Sequence, residues 1–359
     1  MEEQLWDACS GGRIEEVQEL LQNPQIDINS QEQLFILTRS INKLYKNGTT
    51  PFYIACQEGH IDIVKLLLND KRVDVNKPDK FHCSPFWIAC FQGRIEIVKL
   101  LLNNERVDIN KTSNRRETPF NRASYYGHIE IVKLLLSDKR VDINKADETL
   151  RTPFYTACQK GHIEIVKLLL NDERIDTNQA NEQGETPFFI TCKNEQIKII
   201  KLLLNDQRVD INKANQKGTT PFWFSCQFGK IEIVKLLLNN ERIDINQANN
   251  YGTTPFLIAC QNGRIELVRL LLNNERVDIN KANHTGETPL LIACQNGYIE
   301  IVEYLFACGR EINIKSNGET ALNWEREIGK TDFVDLIESF LKNQNETRTK
   351  LRVQLGLSG

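Results

Sequence analysis

The chain has 359 residues and a formal net charge of −3, so it lacks the basic stripe that phosphate binding needs, which argues against nucleic acid as its main partner. Hydrophobic residues at 40% and charged residues at 26% are ordinary for a soluble folded protein and too apolar for a disordered one.

The N-terminus, MEEQLWDACSGG, has no basic segment followed by an apolar one, so no signal peptide is predicted. From Leu5 to Asn29 runs LWDACSGGRIEEVQELLQNPQIDIN, a first copy of a pattern that recurs along the chain. An insertion follows, with 13 residues more than the later connections have. Its apolar residues Leu34, Phe35, Leu37, Ile41 and Leu44 predict a short amphipathic helix, packed on the rest or offering an accessory contact.

Eight regular copies begin at Thr50, Ser84, Thr118, Thr152, Thr186, Thr220, Thr254 and Thr288, each 34 residues after the last. In the copy TPFYIACQEGHIDIVKLLLNDKRVDVN, Thr50 is an N-cap and Pro51 sits where a missing N–H costs nothing. A helix is predicted from Pro51 to Glu58, ended by Gly59. A second helix starts near Ile61; Ile63, Val64, Leu66, Leu67 and Leu68 form its apolar side, and Asn69-Asp70 ends it. A partial copy begins at Thr320, and the polar tail NQNETRTKLRVQLGLSG closes the chain. The start of the tail reads as disordered; its last part reads as a capping helix or the start of a further segment. The apolar runs, such as IVKLLL, are short and broken by lysine, so none spans a bilayer.

Two short helices cannot bury their apolar faces alone, but stacked copies share one core. The repeated TPFxxACQxGHIEIVKLLLxxxxVDIN resembles the T-P-L-H-x-A-A-x-x-G-H pattern of the ankyrin-repeat family, from about Leu5 to Leu341. The copy is one residue longer than the family's, and cysteine usually follows the alanine. The resemblance implies an all-α ankyrin-repeat solenoid of about ten helix-turn-helix units, with projecting β-hairpin fingers beside a concave groove. On this reading residues 1–342 are solenoid: 1–29 an N-terminal capping unit, 30–49 the insertion, 50–319 the eight regular units and 320–342 a C-terminal capping unit. Residues 343–359 are the tail.

Departures from the repeat mark candidate sites, with sequence drift as the competing explanation. The fingertip glycine, present as Gly48, Gly184, Gly218, Gly252, Gly286 and Gly318, is replaced in three successive fingers by His82, Arg116 and Leu150. The first helices there carry Phe91-Gln92 and Tyr125-Tyr126 where others carry polar pairs, and Asn121-Arg122 where others carry apolar ones. Exposed Tyr, Trp and Arg most often carry interface energy. The predicted binding patch is Phe81, Trp87, Phe91, Arg115, Arg116, Asn121, Arg122, Tyr125, Tyr126 and Arg151, and its arginines suit an acidic partner. Trp87 also reads as core, like Trp223 and Phe189 at the same place. Glu195 replaces the interhelical glycine, with Asn194 a candidate to absorb the turn.

Chemistry finds no foothold. His60, His128 and His162 share one repeat place and read as structural hydrogen-bonders; His82-Cys83 lacks zinc spacing. There is no GxSxG, P-loop or GxGxxG. Cys56, Cys90, Cys158, Cys192, Cys226, Cys260 and Cys294 share one buried place, roughly 10 Å apart in a stack and beyond disulfide reach. That implies a reducing compartment, cytosol or nucleus, although secretion without a signal peptide stays open. The prediction is a non-catalytic binder of a protein or peptide, with no cofactor, no metal, no nucleic acid and no membrane insertion, and a monomer as the favoured state. The alternative is a targeting or adaptor arm of a larger enzyme or regulatory complex, a pathogen effector among the options.

Overall fold

The computed structural model describes residues 1–31, 48–316, 319–320, 323 and 331–357. Two compact units divide it, Met1–Glu182 and Gln183–Gly359. The first holds α1 (Glu2–Gly11), α2 (Ile14–Leu21), α3 (Pro51–Glu58), α4 (Ile61–Asn69), α5 (Pro85–Phe91), α6 (Ile95–Leu102), α7 (Pro119–Tyr126), α8 (Ile129–Ser137), α9 (Pro153–Lys160) and α10 (Ile163–Leu170). The second holds α11 (Pro187–Lys193), α12 (Ile197–Asn205), α13 (Pro221–Gln227), α14 (Ile231–Leu238), α15 (Pro255–Gln261), α16 (Ile265–Leu272), α17 (Pro289–Gln295), α18 (Ile299–Ala307), β1 (Lys315–Ser316), β2 (Glu319–Thr320), α19 (Thr331–Lys342) and α20 (Gln344–Gln354). The insertion predicted at 30–49 falls mostly on residues 32–47, outside the described residues.

Each regular repeat is a helix pair, and the sequence signals act where they were expected. The Thr50 hydroxyl accepts from Tyr53 N at 3.1 Å and Pro51 opens the helix. Gly59 closes it in the left-handed region at φ 96°. Within each unit the Thr-Pro helices pack side by side as an inner layer, and the Ile-led helices as an outer one. The residue after the proline plugs the core in seven of the eight regular inner helices: Phe52, Phe86, Phe120, Phe154, Phe188, Phe222 and Phe256 are at most 1% exposed. Burying each such ring contributes roughly 1.5–3 kcal/mol.

The shared histidines couple neighbouring pairs. His128 Nε2 donates to Phe91 O at 2.9 Å and His162 Nε2 to Tyr125 O at 2.8 Å, each satisfying a carbonyl at the end of the preceding inner helix. Arg94 Nε does the same for Gln57 O at 2.9 Å.

The longer turn of this repeat carries an asparagine ladder. Asn110 Nδ2 donates to Arg140 O at 2.7 Å while its Oδ1 accepts from Asp142 N at 3.0 Å, so one side chain bridges two repeats. Asn76, Asn212 and Asn246 repeat the arrangement. Arginines in the same turns reach back to the preceding outer helix, as Arg140 Nη2 does to Leu102 O at 2.7 Å and Arg276 Nη2 to Leu238 O at 2.8 Å.

The resemblance implies β-hairpin fingers, but strand pairing among the described residues is confined to β1 with β2. The other fingers are tight turns closed by a side chain: Asp79 Oδ1 accepts from Phe81 N at 2.9 Å and from Cys83 N at 2.8 Å. Successive fingers are also tied, Asn114 N to Phe81 O and Glu148 N to Arg115 O, both at 2.9 Å.

His82, Arg116 and Leu150 keep the glycine conformation, with φ of 62°, 58° and 62°. Glu195 likewise takes the left-handed turn itself, at φ 58°, while Asn194 stays at −95°. The turn is therefore not absorbed by Asn194. The tail, whose start reads as disordered from its polarity, forms α20 and packs on α18 and α19. Arg348 Nη2 donates to Arg310 O at 2.9 Å, Thr347 and Leu351 are buried, and Phe306 and Phe340 stack at 4.0 Å beneath.

Candidate functional site

The predicted patch lies within the first unit, on α5, α7 and the three glycine-free fingers. Its residues divide by burial into three groups.

Trp87, Asn121 and Arg122 are interior. Trp87 is 7% exposed, and its Nε1 donates to Glu117 O, in the next finger, at 2.9 Å. Asn121 does the same work with a smaller side chain, its Nδ2 donating to Arg151 O at 3.1 Å. Trp223 Nε1 repeats it on Thr253 O at 2.8 Å. The fourth place of the repeat, counted from its Ser or Thr cap, thus pins the following finger, and Trp87 and Asn121 hold the scaffold rather than face solvent.

Arg122 is 8% exposed. Its guanidinium pairs with the Glu117 carboxylate and lies over the Tyr125 ring, 4.9 Å from the centroid. Within this stretch Asn121 Oδ1, Arg122 Nε and Ser124 Oγ are buried with no hydrogen-bond partner among the described residues. Other repeats put cysteine at the place of Ser124 and an uncharged residue, most often isoleucine, at the place of Arg122.

Phe91, Tyr125 and Tyr126 form the solvent-facing group. Phe91 stacks on Trp87 at 5.3 Å, Tyr126 meets the Phe91 ring edge-on at 4.6 Å, and Tyr125 lies 4.9 Å from Tyr126. Tyr126 is 44% exposed. Lys160, from the next inner helix, sits 4.2 Å over the Tyr125 ring with no carboxylate partner among the described residues. Sequence reading missed Lys160, which stands at the same repeat place as Tyr126.

The fingers carry the third group. Phe81 is 44% exposed, with the Lys80 ammonium over it at 5.0 Å. Arg115 faces Glu148 at a loose 3.8 Å, and the Arg116 side chain is exposed and without a partner among the described residues. Arg151 is clamped to Asp147 of its own finger, Nη2 to Oδ2 at 2.8 Å.

A second aromatic row, also missed, lies in the second unit. Phe189 is buried, Phe224 lies 5.3 Å from it, and Phe228 lies 4.5 Å from Phe224 and is 51% exposed. The signal was present: phenylalanine replaces the isoleucine of Ile190, Ile258 and Ile292, and the asparagine of Asn194, Asn262 and Asn296.

None of this geometry offers a nucleophile. Burial pushes the Cys9 thiol up to about 12, and raises Cys56, Cys83, Cys90, Cys158, Cys192, Cys226, Cys260 and Cys308 as well. A reactive cysteine needs the opposite shift. Among the described residues no three His, Cys, Asp or Glu side chains converge as metal ligands, and no helix is long and apolar enough to cross a membrane. An open groove of about 350 Å³ between α6 and α8 is lined by Leu134, Ser137 and the self-paired Lys99–Glu96 and Lys133–Glu130.

A family model described as ankyrin repeats (3 copies) matches residues 5–113, 71–147, 120–215, 207–283 and 275–339. No curated protein matches the chain.

Proposed function

The chain belongs to the ankyrin-repeat family, and from that premise we propose that it is a non-catalytic module that binds an acidic protein or peptide across the inner-helix face and fingers of its first unit. Family members are generally protein-interaction modules; the site and the partner's acidity are our reading. One observation carries it: Phe91, Tyr125 and Tyr126 form a contiguous ring cluster that reaches solvent, with Lys160 over the Tyr125 ring, and neither Lys160 nor the exposed Arg116 of the finger that leads into α7 has an acidic partner among the described residues. Large rings and arginine concentrate binding energy at interfaces, and unpaired cations favour a partner of opposite charge. The scaffold beneath is held by Trp87, Asn121 and the Glu117–Arg122 pair, so little ordering is needed on binding. Ten free thiols, nine of them buried, support a reducing compartment as the place of action.

The test uses two substitutions that install residues other repeats already carry, Tyr126→Asn and Arg116→Gly. A partner captured by the full chain should bind the double variant at least about tenfold more weakly, and the parent's affinity should fall steeply with salt. The melting temperature should not drop. Equal binding by parent and double variant would refute the site. The adaptor alternative draws its support from the second aromatic row, which gives the chain two separate exposed surfaces.

A further inference from the structure

Phe224 and Phe228 are four residues apart, so they share one side of the chain as it leaves α13. Phe224 is half-buried on Phe189, and Phe228 steps out into solvent as the cap residue after the helix. Nothing in the repeat demands either ring, because Ile190, Ile258 and Ile292 hold the place of Phe224, and Asn194, Asn262 and Asn296 that of Phe228. A cation from the next repeat joins the row. Arg264 caps α16, its Nε donates to Gln227 O at 3.2 Å, and its stem runs against Gly229, where an added Cβ would lie 3.1 Å from Arg264 Cδ. The side chain therefore lies along the backbone on either side of Phe228.

Arg264 is exposed, and its two Nη groups have no partner among the described residues. The neighbouring cations differ: Lys193 is paired to Glu185 at 2.7 Å, and Lys230 to Glu195 at 2.5 Å. The repeat beginning Ser84 carries the same arginine in another setting. Arg94 Nε donates to Gln57 O at 2.9 Å, and the residue at the place of Phe228 is there an acid, Glu58. Beside Arg264 a ring stands in place of that acid. A guanidinium that gives Nε to a carbonyl still presents the parallel N–H groups of its far edge, a fork that fits one carboxylate. Phe228 offers apolar surface next to that fork, and covering it releases water. A ligand with no acid would strip water from the guanidinium without replacing it, and a basic one would be repelled.

We propose that Phe224, Phe228 and Arg264 form a second docking surface, built from other residues than the first, and that it takes a partner-protein segment in which an aspartate or glutamate stands next to an apolar residue. The apolar side chain covers the Phe228 ring while the carboxylate accepts from both Arg264 Nη groups. The surface stands on these three residues alone and does not rest on the reading of the first unit.

A random peptide library displayed on phage, selected against the full chain, tests this directly. The selected peptides are re-measured at about pH 8 against Phe228→Asn, Arg264→His and Tyr126→Asn, each of which installs a residue found at the same place in other repeats and should fold. Histidine at the place of Arg264 keeps the bond to the preceding carbonyl, as His128 and His162 do, and is neutral at that pH, so the change removes the charge and not the cap. The expected result is a peptide class with an acid beside an apolar residue that loses at least about tenfold in affinity on Phe228→Asn and on Arg264→His, and binds Tyr126→Asn normally. Replacing the peptide's acid by its amide should cost the same about tenfold on the parent and nothing further on Arg264→His, and raising salt from about 0.05 to about 0.5 M should weaken the parent complex. The inference is overturned if no selected class depends on both Phe228 and Arg264, or if the class that does keeps its affinity when its acid becomes an amide. A class that falls equally on Tyr126→Asn would also overturn it, because the two faces would then be one site.

Discussion

Ser124→Cys should make the protein more stable. Ser124 lies in α7 with its hydroxyl buried and without a partner among the described residues. Leaving such a group unsatisfied costs about 1–3 kcal/mol. A thiol is a weak donor that tolerates apolar surroundings, and the space exists: Cys56, Cys90 and Cys158 occupy the same place in neighbouring repeats at 0% exposure. Allowing for the larger sulfur, the expected gain is about 1–2 kcal/mol, a factor of roughly 5–30 in the local folding equilibrium. Repeat arrays unfold in parts, so the effect is best read locally. Amides of α7 and α8 that exchange through sub-global opening should slow by that factor, and the urea midpoint should rise. Unchanged or faster exchange would mean that the hydroxyl is satisfied in solution, and the reasoning from an orphaned group would fail.

Leu150→Gly should raise the melting temperature slightly. Relief of the left-handed strain at φ 62°, about 1–2 kcal/mol, outweighs about 0.4–1 kcal/mol of added chain entropy, whereas Leu150→Ala keeps the Cβ and should gain nothing. Asn110→Ala removes both ladder bonds between two repeats and should cost about 1–2 kcal/mol by urea denaturation. The Asp70, Asp138 and Asp206 carboxyls are held below their ordinary range chiefly by side-chain hydrogen bonds from Arg72, Arg140 and Arg208. A depressed folded value contributes stability above the unfolded pKa that disappears as pH falls through the folded one. The urea midpoint should therefore decline below about pH 4, and less so in the triple Asp→Asn variant.

The repeat was legible because each signal acts locally. Thr50, Pro51 and Gly59 specify a helix without reference to anything distant, and the observed ends coincide with them. The site was legible only in outline. An arginine that breaks an apolar pattern looks exposed in sequence, yet Arg122 is interior, paired with Glu117 and laid over the Tyr125 ring, whereas Trp87 is core, the second of the two readings its repeat place allowed. Which way a place faces is a property of the stack, not of the residue. Phe224 and Phe228 were passed over for the converse reason: phenylalanine is common in this core, and only the stack reveals that Phe228 leaves it. The polarity of the tail concealed α20, whose order comes from packing on α18 rather than from its own propensity.

Arg122 illustrates how such a misreading would mislead an experiment. Its guanidinium and the Glu117 carboxylate are paired with side chains only 10% and 12% exposed. Arg122→Ala leaves that carboxylate buried without its counter-ion, which costs about 3–5 kcal/mol. It also removes the support under Tyr125, so lost binding would report damage rather than contact. Ile54 and Ile88 hold the place of Arg122 in the two preceding repeats, and Thr219 and Thr253 hold the place of Glu117 further along. The double variant Glu117→Thr/Arg122→Ile replaces the whole pair with residues the fold already accommodates. It should recover most of the loss, because a buried pair removed entire leaves nothing unpaired. A urea double-mutant cycle measures this as a coupling of at least about 2 kcal/mol between the two places. If the double variant is as unstable as Arg122→Ala, the pair is not what Arg122 is needed for. If it is stable and still binds the acidic partner, Arg122 is excluded as a contact, and the binding energy rests on Tyr126 and the finger arginines.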